Sequence, residues 1–163
     1  MLANASSLQA RIKEPALRVL IRYWDEARGT APFPAPRDID AADLPILLPY
    51  LIIVDTAERL DDFRFRVAGG ALRSGFGFDR TGMTFSEMSQ IEDLKENLDD
   101  YWKTFTRAVP TYIALRRMDA HAPPMSFSRL LLPVGGNPNN VEQILGGFVF
   151  SHTRNRPSGK LVW

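Results

Sequence analysis

Apolar residues recur along this chain with two different periods, and the switch between them divides it. Leu17, Leu20, Ile21 and Trp24 stand at i, i+3, i+4 and i+7, one stripe of a helix. Pro15 suits the first turn of that helix, where a missing amide hydrogen costs nothing, and Gly29 stops it after Arg28. The stripe has to be covered by the rest of the domain or by another copy of the chain, so Leu17, Leu20, Ile21 and Trp24 are the candidate dimer or partner surface. Gly29 to Pro36 carries Pro32, Pro34 and Pro36 and reads as an extended connector. Asp43 is placed to cap a short helix over Leu44 to Leu48, which Pro49 ends.

The period then falls to two. Tyr50 to Asp55 is a β-rich run. After a polar turn, Phe63-Arg64-Phe65-Arg66-Val67 alternates strictly, with Phe63, Phe65 and Val67 on one side and Arg64 and Arg66 on the other. Two runs this close in sequence predict a hairpin. Alternation is lost from Gly69 to Pro110. There Ser89 and Glu92 have the spacing of a capping box. Leu94, Leu98, Tyr101, Trp102 and Phe105 fall on one helical face, with Glu92, Asp93 and Glu96 at the positive end of the helix dipole. Three further strand-like runs follow, Tyr112 to Met118, Ser126 to Val134 and Gln143 to Ser151, joined by short Pro/Gly-rich or polar loops that favour an antiparallel meander. The order predicts an α+β fold: a five-stranded antiparallel sheet with the apolar insertion packed on one face and an extra N-terminal helix.

Length and charge narrow the choice of function. The 163 residues are one domain's worth of chain, 45% hydrophobic and 24% charged. The organisation read from the chain is an N-terminal helix and connector over 1–36, the main domain over 37–154 and a polar tail over 155–163, ending Leu161-Val162-Trp163. Twenty basic residues against nineteen acidic ones give +1, no basis for broad attraction to nucleic acid or an anionic membrane. The most apolar segment, Leu44 to Val54, is broken by Pro45 and Pro49 and is well short of the ~20 residues of a spanning helix. No secretory signal pattern opens the chain, so a cytoplasmic location is expected.

The inventory for catalysis is thin. The chain has no cysteine, and two histidines, His121 and His152, do not make a metal site. Ser151 and His152 are neighbours on a strand and point to opposite faces, which disfavours a nucleophile and its base. Gly75-Phe76-Gly77 meets Arg80 where a dinucleotide loop needs glycine, and the Gly70 to Gly75 gap is followed by Phe76 where a phosphate loop needs lysine. These glycines read as tight backbone beside the sheet. No enzyme is expected; a small α+β enzyme would have to gather residues such as Asp79, Arg80 and His152. Arg64, Arg66, Arg116, Arg117 and Arg129 read as a solvated sheet face, with an acidic partner or an anionic ligand as the alternative.

Order and residues together resemble the PAS domain superfamily, most closely short bacterial single-domain PAS-like proteins. The cues run from about Leu20 to Phe150. They are Tyr23-Trp24, Arg28-Gly29 and the prolines after it, Asp38-Ile39-Asp40, Leu44-Pro45 through Leu48-Pro49, Phe63 to Val67 leading into Gly69, Asp79 to Gly82, Leu130 to Val134 and Ile144 to Gly147. The resemblance implies strand order 2-1-5-4-3, short helices over one face and a pocket between them. It implies a sensory or signalling role, through a small molecule, through contacts between proteins, or both. Phe65, Phe76, Phe78, Phe85, Met88 and Phe105 lie where the family places pocket walls, with Leu115, Leu130 and Phe148 as the floor. Such a lining suits an apolar or aromatic molecule, and the same side chains could equally just fill the core. Haem and flavin are not expected, because the branches that bind them use a histidine or cysteine that 69–110 lacks. The expected function is a non-catalytic sensor or adaptor with a protein partner, possible as a homodimer. The alternatives are a structural interaction module without a pocket and the small enzyme.

Overall fold

The computed structural model describes residues 3–91, 98–119, 122–137 and 139–152. Its centre is a five-stranded sheet of β1 (Leu51–Asp55), β2 (Arg64–Ala68), β3 (Thr111–Asp119), β4 (Ala122–Val134) and β5 (Gln143–His152). The strands lie in the order β2-β1-β5-β4-β3 and every neighbouring pair is antiparallel. This is the predicted arrangement, hairpin included.

Among the described residues five α-helices clothe the sheet: α1 (Ala3–Arg11), α2 (Pro15–Arg28), α3 (Gly70–Phe76), α4 (Phe85–Ile91) and α5 (Asp99–Arg107). They divide between its two faces. A Cβ added to Gly147 would lie 2.8 Å from Leu20 and 2.9 Å from Leu17, so α2 presses on one face at a point where only glycine gives room. The next residue, Phe148, points the other way and meets Phe76 of α3. One face therefore carries the N-terminal helices, and the other carries α3, α4 and α5. None of these helices is long and apolar enough to cross a membrane.

That division corrects the reading of α2 as a partner surface. Leu17, Leu20, Ile21 and Trp24 are 0–3% exposed, buried by the chain's own sheet. Trp24 also donates its indole N–H to the carbonyl of Pro133 (2.8 Å). Helix α1 carries no apolar stripe in the sequence to announce it; among its described side chains Leu8, with Ile12 just beyond, reaches the core.

The N-terminal layer is fastened at Glu14, just before α2. Its carboxylate accepts from the hydroxyls of Ser128 on β4 and Tyr112 on β3. Burial pushes this carboxyl up, but those hydroxyls and nearby backbone amides outweigh it and hold it below the usual 4.5. Burial, then the bond to Glu14, raises the Tyr112 phenol. A carboxyl lowered by folding contributes stability above its unfolded pKa, and that contribution is lost as pH falls through its folded value. The stability lost on Glu14→Gln, read from urea titrations, is therefore expected to be largest near neutrality and to shrink below pH 4.5; an unchanging difference would show that the carboxylate charge is idle.

Two helix starts differ from expectation. No helix covers Leu44 to Leu48. Pro45 and Pro49 leave a single hydrogen-bonded turn over 45–47, closed by the Leu48 amide on the Leu44 carbonyl (3.0 Å), between 3₁₀ turns at Ala41–Asp43 and Leu48–Tyr50. Asp40 rather than Asp43 caps the first, accepting from the Ala42 amide (2.9 Å), while Asp43 accepts from the Tyr23 hydroxyl (2.9 Å). The capping box lies at Thr84 and Glu87 instead of Ser89 and Glu92. The Glu87 amide donates to Thr84 Oγ1 (3.1 Å) and the Thr84 amide to Glu87 Oε2 (2.8 Å). Ser89 sits inside α4 and donates to the Ser86 carbonyl. Glu92, Asp93, Leu94 and Glu96 lie outside the described residues, as do His121 and the tail, 153–163. On α5, Tyr101 and Thr104 are buried, while Trp102 is 37% exposed.

The outer edge of β2 is closed by the chain itself. The Gly82 amide donates to the Phe65 carbonyl (2.7 Å), the Phe65 amide to the Met83 carbonyl (3.0 Å) and the Phe85 amide to the Phe63 carbonyl (2.8 Å). Strand β3 forms the other edge of the sheet.

Candidate functional site

The chemistry of this chain is concentrated between the sheet and helices α3 to α5. Register decides who faces that layer. Arg129 pairs with Phe148, and Leu130 with Gly147. Paired residues share a face, so Arg129 points into the layer with Phe148, and Leu130 points to α2 with Gly147. Both assignments reverse the sequence reading, which put Leu130 on the pocket floor and Arg129 on a solvated surface. The reason is that β4 is covered on both faces. Its residues 127–134 are all buried, so hydropathy does not alternate there. Arg64 and Arg66 are exposed as expected, and Arg66 pairs with Asp55 on β1 (3.0 Å).

Apart from Leu130, the proposed lining residues do share the layer, and most of their rings form two groups. In the first, Phe76 of α3 meets Phe127 on β4 and Phe148 and Phe150 on β5, with centroids 5.3–5.7 Å apart. Helix α3 lies this close because residue 75 is glycine: a Cβ there would stand 2.5 Å from the Phe150 ring. In the second, Phe85 of α4 meets Phe65 on β2 (5.2 Å), Phe63 (5.5 Å) and Tyr101 of α5 (4.9 Å), and Phe105 meets Phe63 (5.3 Å). Met88 is fully buried in the same core; Phe78, Phe105 and Leu115 are half-buried against it.

Two arginines lie among these rings. The Arg80 guanidinium sits 3.7 Å from the centroid of Phe76, 5.7 Å from Phe65 and 5.5 Å from Phe78, so it joins the two groups. It is fully buried. A desolvated cation over an aromatic face is worth about 2 kcal/mol or more. Arg129, also fully buried, forms an ion pair with Asp100 of α5 (3.2 Å) and lies over the Tyr101 ring (4.7 Å). Beside it, the hydroxyls of Thr104 and Thr111 are 2.9 Å apart and tie α5 to β3. Sequence reasoning found the rings and missed both cations, because an arginine in a loop or strand is ordinarily at the surface.

Asp79 and Arg80 do not converge on a common cleft. Asp79 is exposed and its carboxylate is engaged by the Thr81 amide (2.9 Å), which with Thr81's side chain lowers its pKa, while Arg80 points into the core. The side chains of Arg116, Arg117 and His152 fall outside the described part.

Residues 12–149 match a family model described as a PAS domain. No curated protein matches the chain. Among solved structures it is similar to a variant of RsLOV (19% identity, 74% of this chain and 73% of that one, TM-score 0.46). It is similar to the LOV protein of Rhodobacter sphaeroides (18%, 67% and 63%, TM-score 0.46) and to the PAS domain of Bordetella pertussis BvgS (14%, 71% and 89%, TM-score 0.41).

Proposed function

The chain belongs to the PAS domain family, and on that premise we propose that it is a non-catalytic signalling module that works by contact with other proteins. The observation that supports this reading is the direct ring-to-ring packing across the layer. Phe76 reaches the sheet from α3, Phe85 from α4 and Phe105 meets Phe63 from α5, all with centroids 5.2–5.7 Å apart. At those spacings the rings touch, and any molecule entering between them has to displace one. A change in the layer is then a change of helix position, which a partner can read at the surface.

A second reading keeps the small molecule. It is favoured by the convergence of Phe65, Phe76, Phe78, Phe85, Met88, Phe105, Leu115 and Phe148 on one layer, a lining for an apolar or aromatic guest. Flavin adduct chemistry does not suit this chain, which has no cysteine to form the bond.

Native mass spectrometry of freshly purified protein separates the two readings. The expected result is the mass of the polypeptide alone, with α3 to α5 protected from hydrogen exchange as well as the sheet. A reproducible bound organic mass would overturn the packed reading and make ligand sensing the function. Partner contact is tested by cross-linking in the native cells and reconstitution of the purified pair, with a stoichiometric complex expected; failure of every cross-linked candidate to reconstitute would remove it.

A further inference from the structure

The stretch just before β1 is apolar where it meets water. Leu47 is buried, but Pro45, Ile46, Leu48, Pro49 and Tyr50 are exposed, Ile46 to 85%. Single exposed apolar side chains need no reason; a contiguous run of them does. The run is held in place. Leu44 and Leu47 anchor it in the core, and a Cβ on Gly69 would collide with the carbonyls of Leu48 and Pro49, so the chain entering α3 lies directly against it. Helix α3 packs on the turn Leu48–Tyr50 and carries Phe76 into the inner layer. A surface fixed in this way loses little freedom when something binds to it.

Acidic residues border the run. Asp38, Asp40 and Asp43 are exposed in the turns just ahead of it. Asp43 lies at most about 11 Å from Ile46 along the chain, roughly a Debye length in dilute buffer. Asp40 and Asp43 meet at Tyr23, whose hydroxyl donates to the Asp43 carboxylate and accepts from the Asp40 amide, both at 2.9 Å. Burial, with the bond to Asp43 and the charges of Asp43 and Asp40, raises the Tyr23 phenol. Arg37, 4.0 Å from Asp38, is the basic residue of the stretch 36–50.

Resting on contact signalling as the function, we propose that Ile46, Leu48 and Tyr50 dock a segment of a partner protein that carries apolar side chains flanked by lysine or arginine. The charges choose among occupants. A second copy would bring the same aspartates against these, and an anionic membrane would meet them with its own charge. A basic flank turns them into attraction. Because the turn and the inner layer share α3, a shift of that helix would alter the docking surface.

Fluorescence anisotropy tests this with the whole chain and a labelled amphipathic peptide of leucine and lysine, against the same peptide with glutamate for lysine. Saturable binding of the lysine peptide alone is expected. Ile46→Lys should weaken it by about tenfold or more, since the apolar centre is lost and a like charge added. Ile46 is exposed, so the variant should unfold at the parent's urea concentration, which separates lost docking from lost fold. Asp38→Asn, Asp40→Asn and Asp43→Asn together keep the acceptor oxygens and remove the charges, and should flatten the salt dependence. Binding of both peptides alike or of neither, equal binding by the Ile46→Lys protein, or an unchanged salt dependence overturns the proposal. The purified cross-linked pair tells the two levels apart. A pair indifferent to Ile46→Lys removes this surface and leaves contact signalling standing; the absence of any pair removes contact signalling itself.

Discussion

Arg129→Met should destabilise the protein by about 3–5 kcal/mol, measured as the shift in a urea unfolding curve. The substitution keeps most of the side-chain volume, so little of the loss comes from packing. It comes from Asp100, whose carboxylate is only 16% exposed and loses the guanidinium 3.2 Å away. A charge left in such a place is far costlier than the pair it came from. The contact with the Tyr101 ring goes as well. Removing the stranded charge should restore much of the loss, so Arg129→Met with Asp100→Leu is expected to be more stable than Arg129→Met alone. A single substitution costing less than about 1 kcal/mol would mean that water already screens the pair, as it does for exposed pairs.

Phe76→Ala should cost about 3–5 kcal/mol and leave a void between α3 and the sheet. Three rings, those of Phe127, Phe148 and Phe150, lose their neighbour, and the Arg80 guanidinium loses the face it lies on. Three rings and one guanidinium would line the new space, so it should take up benzene, whose ring can replace the face that Arg80 lies on. The result bears on function. If the layer of the parent protein is as filled as its ring contacts indicate, only the variant binds such a probe. Equal binding by both proteins, or a loss under about 1 kcal/mol, would show that open space stood beside Phe76 from the start.

What could be read in the sequence depended on how each element meets water. The start of β2 is legible residue by residue because it has one wet side: Arg64 and Arg66 are exposed while Phe63 and Phe65 are buried; a register shift against β1 then pairs Val67 with Ile53 and ends the expected alternation. Strand β4 defeated the same method. With helices on both faces, Leu130, Leu131 and Leu132 are all buried, and the charged side chain beside them, Arg129, marks the interior rather than the surface. The α2 stripe was found, but a stripe does not say whether its cover is the same chain or another. The capping box was misplaced because Thr84-Phe85-Ser86-Glu87 and Ser89-Gln90-Ile91-Glu92 satisfy one pattern; the aromatic anchor Phe85, buried at the first turn of α4, settles it for the former. The burial of Arg80 had no local signal at all. Its three rings, at 65, 76 and 78, come from a strand, a helix and the loop after it.

The closure of β2 by residues 82–85 governs how copies of this molecule can join. A sheet able to accept a strand at both borders can lengthen without limit, which is the geometry of fibres. Here one border is already occupied, so among the described residues strand-to-strand joining falls to β3. Two molecules meeting along β3 would each use up that border, and growth through the described sheet would stop at a closed pair.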